Sequence, residues 1–278
     1  MEQMIVAAVQ MNSIVGDIEH NLNSMKKWVE TASEQNIDLI CFPEMCITGY
    51  AMPQSIEFSE TMCGDSVRYV LEMSRDFNIA ISAGISEKYD DRVYITQFIA
   101  EDGVLKGKYR KTHLGEKEKL YYAAGNSIET IKCKNANIGF QICWESHFPE
   151  ISSILALNNA DIILMPHSSG LPPNRRKDVW DKCLRARAYD NTVYVIACNQ
   201  LGDNGLGTVF GGGCTIIDPR GDILAEDYNS KDSMIAVNIT PEILDKLRRK
   251  EYTSMKDLYY LNRRRPELYK KLTENEFQ

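Results

Sequence analysis

Short apolar runs alternate with amphipathic ones along most of this chain, and that alternation restricts the fold more than any other feature. Residues 4–11, MIVAAVQM, read as a buried strand. Residues 20–36 carry apolar side chains at 22, 25, 28, 29 and 32, the spacing of one helix face. A strand over 37–43 is stopped by Pro43, a helix over 65–77 is opened by Asp65, and a strand follows over 78–87. Residues 93–111 read as two strands joined at Asp102-Gly103, a favourable hairpin turn. Strands over 136–143, 160–166 and 191–199 are separated by helices from about Pro149 to Asn158 and over 174–190. The stretch 211–239 reads as strands broken at DPRG and DYNSKD, and a charged tail from about residue 241 reads as helical. The class is α/β, with a mixed sheet or a pair of sheets. No low-complexity linker or repeat divides the chain, so one domain over 1–278 is expected.

Composition excludes several functions. At 278 residues and 44% hydrophobic content, the chain can bury a core without disulfides or a structural metal. A net charge of −7 argues against duplex nucleic acid as a partner. No apolar run reaches the roughly 18 residues of a transmembrane helix, so no membrane partner is expected. The N-terminus lacks a basic start and passes directly into strand-like sequence, unlike a signal peptide. The eight cysteines (41, 46, 63, 133, 143, 183, 198 and 214) form no CxxC pair, and zinc-finger spacing with the four histidines is absent. Most of these thiols sit among apolar neighbours, as small hydrophobes do, and a cytoplasmic location is expected. Neither GxGxxG nor GxxxxGK[ST] occurs, so nothing supports a nucleotide-phosphate loop.

One cysteine stands apart. Cys143, in GFQICWESHFPE, lies where a strand gives way to a turn and then a helix. A side chain there projects from the end of a sheet beside backbone N–H groups, a placement that suits a nucleophile and that also accommodates harmless residues. A thiol with a reference pKa of about 8.5 is mostly protonated at neutral pH. A nucleophilic cysteine therefore needs a base and a donor for the charge that develops on the substrate. FPEMCITGY places Glu44 just after a strand, and KYRKTHLGEKEKLYYAAGN places Lys111 at the end of a hairpin strand with Glu118 seven residues on. Each of these alone reads as a surface charge.

Taken together and in this order, these three segments resemble the signature segments of the nitrilase superfamily of carbon–nitrogen hydrolases. RAYDNTVYVIACNQ, GGGCTIIDPRGDILAE and NRRRPELY resemble later segments of the same family, so the likeness spans nearly the whole chain. The resemblance implies an αββα sandwich of two mixed sheets, commonly paired into a homodimer or a larger assembly. It implies catalytic roles for Glu44 as general base, Lys111 as catalytic lysine, Cys143 as nucleophile and Glu118 as a second glutamate. The implied chemistry uses no metal or organic cofactor. The implied partner is a small amide or N-carbamoyl compound, split with release of ammonia through a thioester. Trp144, Glu145, Tyr50 and His167 are the expected substrate contacts. Many family amidases carry Asp at the position of Glu145, and the CWE triplet also occurs in true nitrilases, which keeps nitrile hydrolysis open. The segment MPHSSGLPPN lacks a tryptophan found there in many members.

Two rivals remain on the residues themselves. His113 and His147 make a Cys–His hydrolase or acyltransferase conceivable, and Cys143 can be read as a redox-sensing thiol. Arg175, Arg176 and Lys177 open a helix and read either as a solvated basic face or as a carboxylate clamp. The family's carbamoylases place their substrate arginines nearer the cysteine, where this chain has Ser146 and His147, so that role is not carried over.

Overall fold

A computed structural model describes residues 1–248 and 259–274. Two mixed sheets lie face to face with helices on their outer sides. In the first, β1 (Met4–Asn12), β2 (Leu39–Cys41) and β3 (Ala80–Tyr89) run parallel. The long hairpin β4 (Arg92–Glu101) and β5 (Val104–Arg110) continues it antiparallel. Asp102 and Gly103 both take positive φ at its turn (53° and 78°), the geometry that a two-residue hairpin loop needs.

The second sheet is built alike. Strands β7 (Ala136–Phe140), β8 (Ile162–His167) and β9 (Tyr194–Asp203) are parallel, and β6 (Ile131–Cys133) flanks them antiparallel. The short β10 (Val209–Gly211) and β11 (Cys214–Ile217) both lie against β9, and β12 (Ile223–Asp227) against β11. Strand β13 (Ser233–Ile239) returns to the first sheet beside β1. The sheets meet where Met11 and Asn12 pair with Gln200 and Leu201.

Period-2 side-chain alternation explains the layering. Val6 and Ala8 of β1 point between the sheets with Leu39, Ile138, Phe140, Leu164 and Ile196, while Ala7 and Val9 point outward. The outward face of the first sheet is covered by α1 (Ile18–Glu34) through Met25 and Val29 and by α2 (Asp65–Asp76) through Val67, Val70 and Met73. On the second sheet, α3 (Pro149–Leu157) contributes Ile151 and Leu155, and α4 (Pro173–Asn191) contributes Trp180 and Leu184. This is the αββα sandwich implied by the resemblance. Cys41 and Cys198 face each other across it at 3.8 Å as free thiols, filling core volume.

The tail differs from its reading. Helix α5 (Pro241–Arg248) opens it, residues 249–258 lie outside the described residues, and 259–274 form short 3-10 turns in place of a helix. Pro266 falls inside that last stretch and cannot continue an α-helix.

One glycine fixes the loop that follows β2. A Cβ on Gly84 would lie 2.3 Å from the Met45 nitrogen and 3.0 Å from the Pro43 carbonyl, because β3 passes directly beneath the 43–46 turn. The Ile47 N–H donates to the Gly84 carbonyl (3.0 Å), docking the turn on the strand. Gly84→Ala should therefore displace Glu44 as well as crowd the core, at a cost of about 1–3 kcal/mol. Thermal unfolding should show a Tm lower by several degrees; an unchanged Tm would mean that the turn is not held this way.

Candidate active site

The parallel strands of both sheets end at one edge of the sandwich, and the charged groups collect there, as in other α/β sheets. Glu44 lies three residues beyond β2, Lys111 follows β5 directly, and Cys143 lies three residues beyond β7. Cys143 opens a 3-10 turn, Cys143–His147, with φ of 49°, a left-handed conformation that costs a non-glycine residue on the order of 1–3 kcal/mol. The turn is held from beneath: Gln141 Nε2 donates to the carbonyls of Glu145 (2.6 Å) and Phe148 (2.9 Å).

Lys111 is the centre of the site. Its side chain has no exposed surface, and Nζ donates to Glu44 Oε1 (2.8 Å) and to Glu118 Oε1 (2.7 Å). Glu118 Oε1 also accepts from Tyr50 Oη (2.7 Å), and its Oε2 accepts from the Gly115 N–H (2.6 Å). The second glutamate is thus anchored by three donors and cannot turn away from the lysine. Glu44 keeps its other oxygen, Oε2, buried and without a hydrogen-bond partner among the described residues. Its main chain is pinned by Ser168 Oγ, which donates to the Glu44 carbonyl (2.7 Å).

Burial pushes the Glu44 carboxyl up to about 7; Lys111 opposes the rise and Glu118 adds to it. Burial alone would lower the Lys111 pKa, but Glu44, Cys143 and Glu118 outweigh it and hold the ammonium charged. The Cys143 thiol is pushed up to about 12, chiefly by burial and then by Glu44, with Lys111 and Arg176 working the other way. Cys143 lies near enough to draw the Glu44 carboxyl down a little, yet forms no hydrogen bond of ordinary geometry with Oε2. Cys143 is partly accessible while closely surrounded by protein, the situation of a side chain at the floor of a recess. The resting pair is a thiol beside a carboxylate that ionises near neutrality, and that carboxylate has one oxygen free to take a proton.

The expected substrate contacts divide. Tyr50 lines a cleft of about 810 Å³ together with Met52, Lys117, Tyr121, Ser168 and Phe210. Since Tyr50 touches Glu118 and Ser168 touches Glu44, this cleft adjoins the charged cluster. Trp144 is 48% exposed and packs edge-on against His147 and Phe148.

Glu145 and His167 do not present free polar atoms to a ligand. Glu145 is fully buried, and Oε1 accepts from Tyr109 Oη (2.8 Å), Thr112 N (2.7 Å), Thr112 Oγ1 (2.6 Å) and His113 N (3.1 Å). Its Oε2 accepts from the Ile142 N–H (2.7 Å), so one carboxylate ties the lysine segment to the cysteine turn. His167 is buried and held neutral, by burial first and then by the charge of Arg176. Its Nδ1 lies 2.8 Å from the Met165 carbonyl, and its Nε2 accepts from Trp180 Nε1 at 3.3 Å.

The rival base candidates make other contacts. His113 bonds Thr112 Oγ1 through Nδ1 (2.8 Å) and stacks on Phe148, and His147 lies against Trp144. Of the basic triplet, Arg175 is exposed and Lys177 pairs with Asp181 and Glu226 on the surface, as a solvated face would. Arg176 departs from that reading and is only 4% exposed. Ser168 falls in the MPHSSGLPPN segment, whereas Phe210, on β10, had no motif to mark it and reaches the cleft only through the fold.

The carbon–nitrogen hydrolase family model matches residues 5–249 of this chain. A probable nitrilase of Schizosaccharomyces pombe is 30% identical over 279 residues, spanning 96% of this chain and 97% of its own. An (R)-stereoselective amidase of a Pseudomonas species is 26% identical over 257 residues, 91% of each chain. The solved structure of an amidase from a Nesterenkonia species superposes with a TM-score of 0.83 at 25% identity, over 98% of this chain and 97% of that one. With its fold, its sequence match and its order of segments in agreement, the chain belongs to the carbon–nitrogen hydrolases of the nitrilase superfamily.

Proposed function

We propose that this hydrolase is a thiol amidohydrolase that cleaves a small linear amide or N-carbamoyl compound and releases ammonia. The observation that carries the reading is the buried Glu44–Lys111–Glu118 array beside Cys143, with Glu44 Oε2 lacking a hydrogen-bond partner of ordinary geometry among the described residues. As the Cys143 sulfur attacks the carbonyl carbon, its proton passes to Glu44 and the C=O π pair moves onto oxygen. Lys111 and the Trp144 N–H, one of the first-turn donors that lack an acceptor within their own helical turn, face that oxyanion. Glu44 then gives the proton to nitrogen, the C–N bond breaks, and ammonia leaves a thioester. Water, deprotonated by the same carboxylate, attacks the thioester; the C–S bond breaks and sulfur takes the proton back. For an amide the sum is amide plus water giving acid plus ammonia; for an N-carbamoyl compound the thioester carries R–NH–CO, and its hydrolysis gives a carbamic acid that falls to carbon dioxide and amine, with the enzyme restored in both cases.

Glu118 acts through Lys111, holding the ammonium in place. Glu145 is read as a brace between the Lys111 and Cys143 segments, and His167 as a prop for Trp180. Tyr50 and the cleft beyond it remain the substrate wall. A cytoplasmic location and a homodimer or larger assembly complete the proposal, the first from eight free cysteines and the second by analogy with the family. Nitrile hydrolysis is the second reading, favoured by the CWE triplet and the nitrilase relative.

Ammonia release from a panel of ω-amides, N-carbamoyl amines, N-carbamoyl amino acids and simple nitriles tests the proposal. Release from amides or carbamoyl compounds that disappears in Cys143→Ala is expected; release from nitriles alone would transfer the assignment to the second reading. Glu44→Gln should lower kcat/KM by on the order of 100- to 10,000-fold, while His113→Ala keeps most of the activity. The base must be ionised to act, so kcat/KM should rise with pH through about 7, where Glu44 loses its proton. A large loss in His113→Ala with an active Glu44→Gln would assign the base to histidine.

A further inference from the structure

Arg176 is a buried cation that the described residues leave without a counter-charge. It lies in the first turn of α4, with its N–H donating to the Pro172 carbonyl (2.9 Å). Its guanidinium stands 5.2 Å over the Trp180 ring. Its stem packs so closely on Gly213 that a Cβ there would sit 3.2 Å from the arginine Cγ and 3.0 Å from the Tyr228 ring. Trp180, Tyr228, Gly213 and the neutral His167 therefore make a box of uncharged groups around a charge. Within it, Nε and Nη2 have no hydrogen-bond partner among the described residues.

Those two nitrogens form one edge of the guanidinium, the edge that grips a carboxylate through two parallel N–H···O bonds. Burying an arginine without an anion is among the costliest arrangements available to a fold, unless a ligand supplies the anion. The residue lies at the same edge of the sheet as Cys143. His167 ends β8, the parallel neighbour of the β7 strand that leads to Cys143, and α4 starts six residues further along the same edge of the sheet. The Arg176 charge is felt at Cys143, where it opposes the effect of burial on the thiol.

We propose that Arg176 binds the carboxylate of an acidic substrate, an amide or N-carbamoyl compound that also carries a carboxyl group, while its scissile carbonyl lies against Cys143. The assignment rests on the amidohydrolase reading and narrows it. Arg175 and Lys177, its neighbours in sequence, take no part, since one is exposed and the other is paired on the surface.

The test compares pairs of substrates on the full chain. Monoamides of four- to six-carbon dicarboxylic acids are set against primary amides in which a methyl replaces the carboxylate, and N-carbamoyl amino acids against N-carbamoyl alkylamines. The wild type should favour the acidic member of at least one pair by about 100-fold or more in kcat/KM, because an unfilled guanidinium edge penalises the neutral one. Arg176→Met should collapse that ratio towards one, mainly through KM, and Arg176→Lys should restore part of it. Should Arg176→Met fail to fold, competitive inhibition of the wild type by dicarboxylates but not by the matching diamides decides the matter. Cys143-dependent release from neutral amides with no preference for acidic ones, or a ratio unchanged in Arg176→Met, would mean that water or a second copy of the chain fills the edge. That result overturns the assignment and leaves the amidohydrolase reading standing. No Cys143-dependent release from any amide or carbamoyl compound overturns both.

Discussion

A single ammonium with no contact to solvent holds three parts of this chain together. Lys111 arrives on the long β4–β5 hairpin, Glu44 on the turn after β2, and Glu118 at the start of a short 3-10 turn seven residues beyond the lysine. Each carboxylate is tolerable in the interior only because the lysine is there, and the lysine only because of them. Removing the cation would leave two buried carboxylates facing each other; removing either carboxylate would leave one lysine–glutamate pair. The cluster therefore enforces its own geometry, and it does so at the one edge where the parallel strands of both sheets end.

The second constraint is Glu145. Five donors from two segments converge on this carboxylate, so the backbone at Thr112 and His113 cannot shift without disturbing the Ile142 N–H that precedes Cys143. Charge-assisted bonds to backbone N–H groups are the strong kind, and here they fix the distance between the lysine and the cysteine turn. The left-handed φ of Cys143 is sustained by the same contacts, with Gln141 bonding the turn from below. A site formed this way is set before a ligand arrives, which favours catalysis by fixed charges and dipoles.

Much of this architecture was legible in the residues. The alternation of apolar runs marks β1, β3, β7, β8 and β9, because buried parallel strands are continuously apolar, and Asp102-Gly103 marks its hairpin by turn chemistry alone. The three-residue strands β6 and β10 carry too little pattern to be seen. Glu44, Lys111, Glu118 and Cys143 were marked by the resemblance of their three segments to the family's, and the fold brings the first three into direct contact around the lysine. The surroundings of Glu145 and Arg176 were not legible for one reason: the partners that decide a charged side chain's environment lie far away in sequence. Tyr109 is 36 residues from Glu145, and Gly213 and Tyr228 come to Arg176 only through sheet packing. In RRK, nothing local distinguishes the buried arginine from the exposed one beside it.

In the proposed reaction the charged cluster serves a covalent step on one thiol. Rapid quenching during turnover of a short primary amide, followed by intact-mass measurement and peptide mapping, tests it most directly. An acyl adduct is expected, heavier by the acyl group less one hydrogen, that maps to Cys143 and decays as product forms. Turnover with no adduct, or with an adduct on any of the other seven cysteines, would contradict it.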